Sequence, residues 1–280
     1  MLITSPANPR VNQLKLLHTP RGRKKSGLFL MEGPHLLEAL LNADLLPQEV
    51  YYQPAFLQRT PEGAALLQRL LHTSAFSSEQ LIEVSERVIE AIGETQTSQG
   101  VVSVLAQEQL QSERLLAQRA SAARPCLLIL DDIADPGNMG TILRTALAAD
   151  VALVILTPTC VDYFNPKVVR SAAGAHIFLP VEIAPSWEQI AKIVEKHCGT
   201  QPRILLAEAG STHTYYEQDL VHPFALIAGN EAHGPSQAAH RLATQSISIP
   251  LANQVESLNV AMATGLILYE SVRQLRRHHA

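Results

Sequence analysis

Cysteine is scarce in this chain. Cys126, Cys160 and Cys198 are odd in number and far apart, so neither a disulfide framework nor a paired zinc motif is available and a reducing cytoplasm is expected. No run reaches the roughly 18 uncharged residues that a membrane helix requires, and the opening MLITSPANPR lacks the apolar core of a signal peptide. No membrane partner and no secretion are expected. Acids are missing from residues 1 to 31, which carry Arg10, Lys15, Arg21, Arg23, Lys24 and Lys25. That segment reads either as a phosphate-contacting arm or as a solvated terminus. The rest of the chain offsets it, since the net charge is -4, which argues against a uniformly basic nucleic-acid coat. Internal repeats, a phosphate loop and a complete dinucleotide fingerprint are also missing, because GNMG at 137–140 has no third glycine.

What is present is enough apolar residue for sizeable cores, 46% of 280 residues, a length that favours two domains. LFLMEG (28–33) reads as a strand ending at Gly33 and is followed by the helical PHLLEALLNA. A strand at 49–53, helices at 61–72 and 78–91, and the strand VVSVLA (101–106) complete an alternating α/β segment. We read residues 1–106 as one small domain, 107–122 as a polar, alanine-rich linker and 123–280 as a second domain. The second half alternates more regularly. Strands are expected at 126–132, 151–156, 177–182, 203–209, 224–229 and 246–250, with helices at 139–149, 166–173, 186–198 and 257–277 between or after them. Apolar strands separated by helices predict a parallel sheet covered on both faces.

Ligands on such sheets collect beyond the carboxyl ends of strands, which singles out three loops. In the first, DDIADPGNMGTILRTA (131–146), Asn138 sits where a helix cap belongs and Arg144 follows six residues later. In the second, LIAGNEAHGPS (226–236), Gly229 and Glu231 follow an apolar strand; His233 reads as a solvated loop histidine, since no partner stands at metal-ligand spacing. In the third, a strand meets Pro250, and a long helix opens at Ser257 and Asn259, Ser257 being a natural cap. Taken singly, these residues also fit plain caps, turns and solvated charges. Together they describe three glycine-, asparagine- or serine-bearing loops at strand ends, as a small-molecule site requires.

The three loops resemble the motifs of the SpoU (TrmH-type) branch of the SPOUT RNA 2'-O-ribose methyltransferases. The first motif is NMGTILRTA, with Asn138, Arg144 and Ala146; the second is GNEAHG (229–234); the third is IPLANQVESLNVAMATG (249–265). The likeness spans about 123–280, and RGRKKSGLFLMEGPHLLEAL (21–40) with TSQGVVSVLA (97–106) is similar to the family's substrate-binding domain. The resemblance implies a carboxyl-terminal parallel sheet with a trefoil knot, which rules of chain topology alone would exclude, preceded by a small ribosomal-protein-like α/β domain. It implies S-adenosylmethionine as cofactor, with Gly229, Ile249 and Leu258 beside it and Glu231 and Pro250 close by. Asn138, Arg144, Glu231, Ser257 and Asn259 would surround the transfer site, the last three orienting Arg144. Arg10, Arg21, Arg23, Lys24 and Lys25 would meet RNA. A homodimer through the last helix is implied, and no metal. The expected activity is methylation of a ribose 2'-hydroxyl in structured RNA, ribosomal RNA first and transfer RNA second. The rival reading is a non-catalytic RNA-binding protein of the same fold.

Overall fold

The computed structural model describes residues 2–73, 75–77, 79–94, 98–110, 115–116 and 126–278. Most of the expected linker, 107–122, lies outside the described residues. By packing, the chain divides into Met1–Leu110 with Phe164–Ile177, and Gln111–Tyr163 with Phe178–Ala280. Two short helices from the second half of the sequence therefore belong to the first unit.

The first unit holds a five-stranded mixed sheet. Its strands are β1 (Leu2–Ile3), β2 (Leu28–Glu32), β3 (Glu49–Tyr52), β4 (Leu81–Val84) and β5 (Val101–Ala106), in the order β1-β4-β3-β5-β2. β1, β4 and β3 run parallel, whereas β5 is antiparallel to both β3 and β2. The sequence reading of a helix at 78–91 is corrected here: Leu81–Val84 is a strand, and only Glu86–Ile92 is helical. The basic amino-terminal segment is ordered as two helices, Pro9–Leu16 and Pro20–Ser26. Asn8 and Thr19 cap them through side-chain oxygens, and each cap precedes a proline whose fixed φ suits the first helical position. Phe29, Met31, Leu40 and Leu105 pack with Val169 and Ile177 of the inserted segment, where Phe164 lies 4.7 Å from the Phe29 ring.

The second unit holds six parallel strands: β6 (Cys126–Leu130), β7 (Leu153–Leu156), β8 (Val181–Ile183), β9 (Arg203–Ala207), β10 (Phe224–Ala228) and β11 (Gln245–Ile247), ordered β11-β9-β10-β6-β7-β8. β6, β7 and β10 are buried at every position, as strands covered on both faces must be. Leu127, Ile129, Leu153, Ile204, Leu206, Ala225 and Ile227 form one side of this core with helix Trp187–Cys198. The expected strand at 177–182 is shorter. Ala175–Phe178 is helical and the strand is Val181–Ile183, separated from it by Leu179 and Pro180. All three cysteines are free, and no helix among the described residues is long and apolar enough to cross a membrane.

Candidate active site at the strand ends of the six-stranded sheet

Strands β11, β9 and β10 lie side by side and parallel, so their carboxyl ends open onto one place. A cavity of about 420 Å³ occupies it, lined by the segments that follow each strand and by the first turns of helix Val260–His278. That is within the range of small-molecule sites. Of the residues expected there, Gly229, Glu231, Ile249, Ser257 and Leu258 line the cavity. Pro250 does not; it lines an adjoining open depression with Ser248 and Thr214.

The loop after β10 is held by hydrogen bonds to the end of β6. Asn230 Nδ2 donates to the Asp132 carbonyl at 2.8 Å, while Asn230 Oδ1 accepts from the backbone N–H groups of Ala232 and His233. Buried Asp131 accepts from the Ser236 N–H at 2.7 Å. The chain then crosses back over Gly229, where a Cβ would stand 2.5 Å from Pro235 N and 2.6 Å from Pro235 Cα. Glycine is required because backbone occupies the space a side chain would need.

Glu231 ties the three loops together. Its carboxylate accepts from Asn138 Nδ2 at 2.9 Å and from the Ala134 and Asp135 N–H groups at 3.2 and 3.3 Å. Asn138 Oδ1 in turn accepts from Asn259 Nδ2 at 2.9 Å. Burial works to raise the Glu231 pKa, but the bonds from Asn138 and the backbone outweigh it and hold the carboxyl below its ordinary value. Glu231 is therefore an ionised acceptor at neutral pH, and not a base poised to take a proton.

Two cap assignments are corrected. Asp135, not Asn138, caps helix Pro136–Ala148, its side chain accepting from Asn138 N. This leaves the Asn138 amide free to bridge Glu231 and Asn259. Asn259, not Ser257, caps the last helix, accepting from the N–H groups of Ala261 and Met262; the helix starts at Val260 and Ser257 stays in the cavity wall. Nor do Glu231, Ser257 and Asn259 orient Arg144. That arginine is exposed, makes no hydrogen bond or ion pair among the described residues, and does not line the cavity. Six residues at 100° each place it about 120° around the helix from Asn138. Thr145 lies on the Asn138 side and meets Gly265 of the last helix.

In the basic segment of the first unit, Arg23 is corrected outright. It is 1% exposed and its Nη1 donates to the Leu17 carbonyl at 2.8 Å, so it is a structural residue and not an RNA contact. Arg10 pairs with Glu49 at 3.2 Å. Arg21, Lys24 and Lys25 remain exposed on helix Pro20–Ser26, spaced so that they share one face.

Several cavity residues were not singled out from the sequence. Glu208 and Glu256 add two carboxylates to Glu231, and no lysine or arginine lines the cavity among the described residues. Such a wall suits a cationic ligand and disfavours a phosphate. Thr264 lines it from the last helix; it is 1% exposed and its hydroxyl has no hydrogen-bond partner among the described residues. A buried orphan hydroxyl is costly unless a ligand satisfies it. Glu208 follows the apolar run RILLA, the same strand-end signal as the other loops, and Thr264 is a polar residue on the buried face of its helix, as Glu270 and Ser271 are further along. The described residues contain no group of three His, Cys, Asp or Glu able to hold a metal.

Comparison with known proteins agrees with this geometry. The sequence pattern of the SpoU rRNA Methylase family matches residues 125–269, and that of the MRM3-like substrate binding domain matches residues 8–103. The chain is 36% identical to an uncharacterized tRNA/rRNA methyltransferase of Synechocystis, covering 97% of this chain and 93% of that protein. It is 32% identical to the 23S rRNA (guanosine(2553)-2'-O)-methyltransferase RlmP of Bacillus subtilis, over 95% and 97% of the two chains. Among solved structures, the SpoU methyltransferase AviRb of Streptomyces viridochromogenes in complex with AdoMet superposes with a TM-score of 0.81 at 27% identity, covering 95% of this chain and 98% of that one. With the second and third motifs lining one cavity, the first bonded to both through Asn138, and both family patterns matched in order, this chain belongs to the SpoU rRNA methylase family.

Proposed function

We propose that the protein transfers a methyl group from S-adenosylmethionine to a ribose 2'-hydroxyl of ribosomal RNA. The observation that carries this reading is the Asn138, Glu231 and Asn259 network, which closes three motif loops over an acidic cavity free of lysine and arginine. The names of the Bacillus relative and of the AdoMet-bound neighbour support the same chemistry.

When bound, the cofactor supplies a methyl group on a sulfonium, a good leaving group that needs no acid. The protein's tasks are then to hold the cofactor, place the hydroxyl in line and manage its proton. Gly229, Ile249 and Leu258 hold the cofactor through the cavity wall, and the cationic ligand is matched by Glu208, Glu231 and Glu256. Asn138, Ser257 and Asn259 orient the ribose at the cavity mouth. The planar, two-pronged guanidinium of Arg144 clamps the adjoining phosphate and stabilises the developing alkoxide. The Thr264 hydroxyl donates to the cofactor. Thr264→Val, nearly the same shape, should therefore leave thermal stability unchanged or slightly raised while weakening cofactor binding about tenfold; calorimetry and a melting curve on one preparation check both.

The first unit supplies RNA affinity through Arg21, Lys24 and Lys25. Exposed Met262, Leu266 and Tyr269, spaced along one face of the last helix, support a homodimer through the second domain. Three free cysteines and an RNA substrate are consistent with a cytoplasmic enzyme. The experiment is transfer of labelled methyl from S-adenosylmethionine to unmodified ribosomal RNA and, separately, transfer RNA, with the modified ribose mapped. Wild-type protein should methylate ribosomal RNA. The Arg21→Ala, Lys24→Ala, Lys25→Ala triple variant should bind it with a salt dependence lowered by about 2 to 3 in log-log slope. Labelling of transfer RNA alone would overturn the substrate assignment.

A further inference from the structure

We propose that Glu208 binds the ribose diol of the cofactor, adding a fourth segment to the three motif loops. The inference rests on the cofactor reading above. β9 lies between β11 and β10, so the residue that follows it stands in the middle of the cavity floor. Ala207, Glu208 and Ala209 all line that floor. The Glu208 backbone N–H donates to the Ile247 carbonyl at 2.9 Å, which fixes the residue at the strand end.

Its carboxylate is held on two sides. Ser246 Oγ donates to Oε2 at 3.1 Å, and His240 Nε2 lies 3.4 Å from Oε1. One partner on each oxygen sets the plane of the group and leaves acceptor capacity on both. The side chain keeps 36% of its surface exposed and lines the cavity. The other two cavity carboxylates differ in kind. Glu231 is committed to Asn138 and to the backbone of the first loop, whereas Glu256 is exposed and makes no hydrogen bond among the described residues. Glu208 alone combines fixed geometry with unused acceptors.

Two neighbouring acceptors in one plane suit two neighbouring hydroxyl donors. In open α/β sheets an acidic residue in the site takes the ribose hydroxyl of a bound dinucleotide for the same reason. The competing donor on the cofactor is the α-ammonium of its methionine part, which a carboxylate would also accept.

The experiment separates the two. Calorimetry with S-adenosylmethionine, 5'-methylthioadenosine and its 2',3'-dideoxy counterpart is run on wild type, Glu208→Ala and Glu208→Gln. Glu208→Ala should weaken S-adenosylmethionine and 5'-methylthioadenosine by the same factor, about 10- to 100-fold, the scale of losing hydrogen bonds to a charged group. Glu208→Gln should fall between. The dideoxy compound should bind wild type as weakly as 5'-methylthioadenosine binds Glu208→Ala, a comparison that needs no substitution and so survives any misfolded variant. Weakening of S-adenosylmethionine with 5'-methylthioadenosine unchanged would assign Glu208 to the amino-acid end and overturn the proposal, as would equal wild-type affinity for the diol and dideoxy compounds. Wild-type protein that binds no S-adenosylmethionine would overturn the cofactor reading and this proposal with it, whereas normal binding unaltered by either Glu208 variant overturns this proposal alone.

Discussion

Arg144→Ala is expected to lower methyl transfer to RNA at least about a hundredfold, the scale of losing a partner for transition-state charge, and to leave cofactor affinity nearly unchanged. Arg144 has nothing to lose in the free protein. It is exposed, unpaired among the described residues and outside the cavity wall, so the substitution should alter stability by no more than about 0.5 kcal/mol. An arginine kept without a protein partner beside a motif loop is available to an incoming phosphate. Its planar fork can contact a phosphate at two points, which an ammonium cannot reproduce, so Arg144→Lys should rescue little. Single-turnover transfer alongside cofactor calorimetry checks the division. Full transfer by Arg144→Ala, or a large loss of cofactor affinity, would defeat it.

That separation was only partly legible in the sequence. The apolar runs of β6, β9 and β10 are long enough to be read as buried strands, and the rule that ligands gather at strand ends led directly to the loops around Asn138, Gly229 and Ser257. The partners of those residues were not legible. Asn138 meets Glu231 across 93 residues and Asn259 across 121, and no local pattern encodes such pairings. The family resemblance implies that the network orients Arg144, but six residues rotate it away from Asn138. Arg23 was taken as one of a row of cations; helical phase turns it inward while Arg21, Lys24 and Lys25 face out.

Secondary structure failed where an apolar run was short. IFLPVE could be strand or buried helix, and Pro180 divides it into one of each. LIEV at 81–84 carries the strand period, alternately part-buried and buried, just before Ser85 at the head of a helix. Reading 78–91 as one helix passed over both signals. The pairs Asn8-Pro9 and Thr19-Pro20 are helix starts of the same kind as Asn165-Pro166. A reading of residues 1–31 by charge alone does not use them.

Gly229→Val should abolish measurable cofactor binding and also destabilise the protein without ligand. The sequence suggests a simpler effect, a side chain filling space that the ligand needs. The structure places backbone there instead: the new Cβ would stand 2.5 Å from Pro235 N, 2.6 Å from Pro235 Cα and 2.8 Å from the Gly234 carbonyl carbon. None of these atoms can rotate away as the end of a flexible side chain could. The crossing segment must move, and it is the one pinned by the Asn230 to Gly234 bridge and by the Ser236 bond to Asp131. Moving it displaces Glu231, and with it the anchor for Asn138 and the first loop. Overpacking of this kind destabilises by about 1–3 kcal/mol, so even Gly229→Ala should lower the melting temperature of the ligand-free protein by several degrees as well as weaken cofactor binding. Gly234→Ala is the informative contrast, since its Cβ would meet nothing within 4 Å and only its φ of +69° is strained; it should cost about 1–2 kcal/mol with a smaller loss of affinity. Melting curves without ligand decide the cause. If Gly229→Ala melts with wild type yet binds cofactor poorly, the glycine makes room for the ligand and the chain crossing is not what requires it.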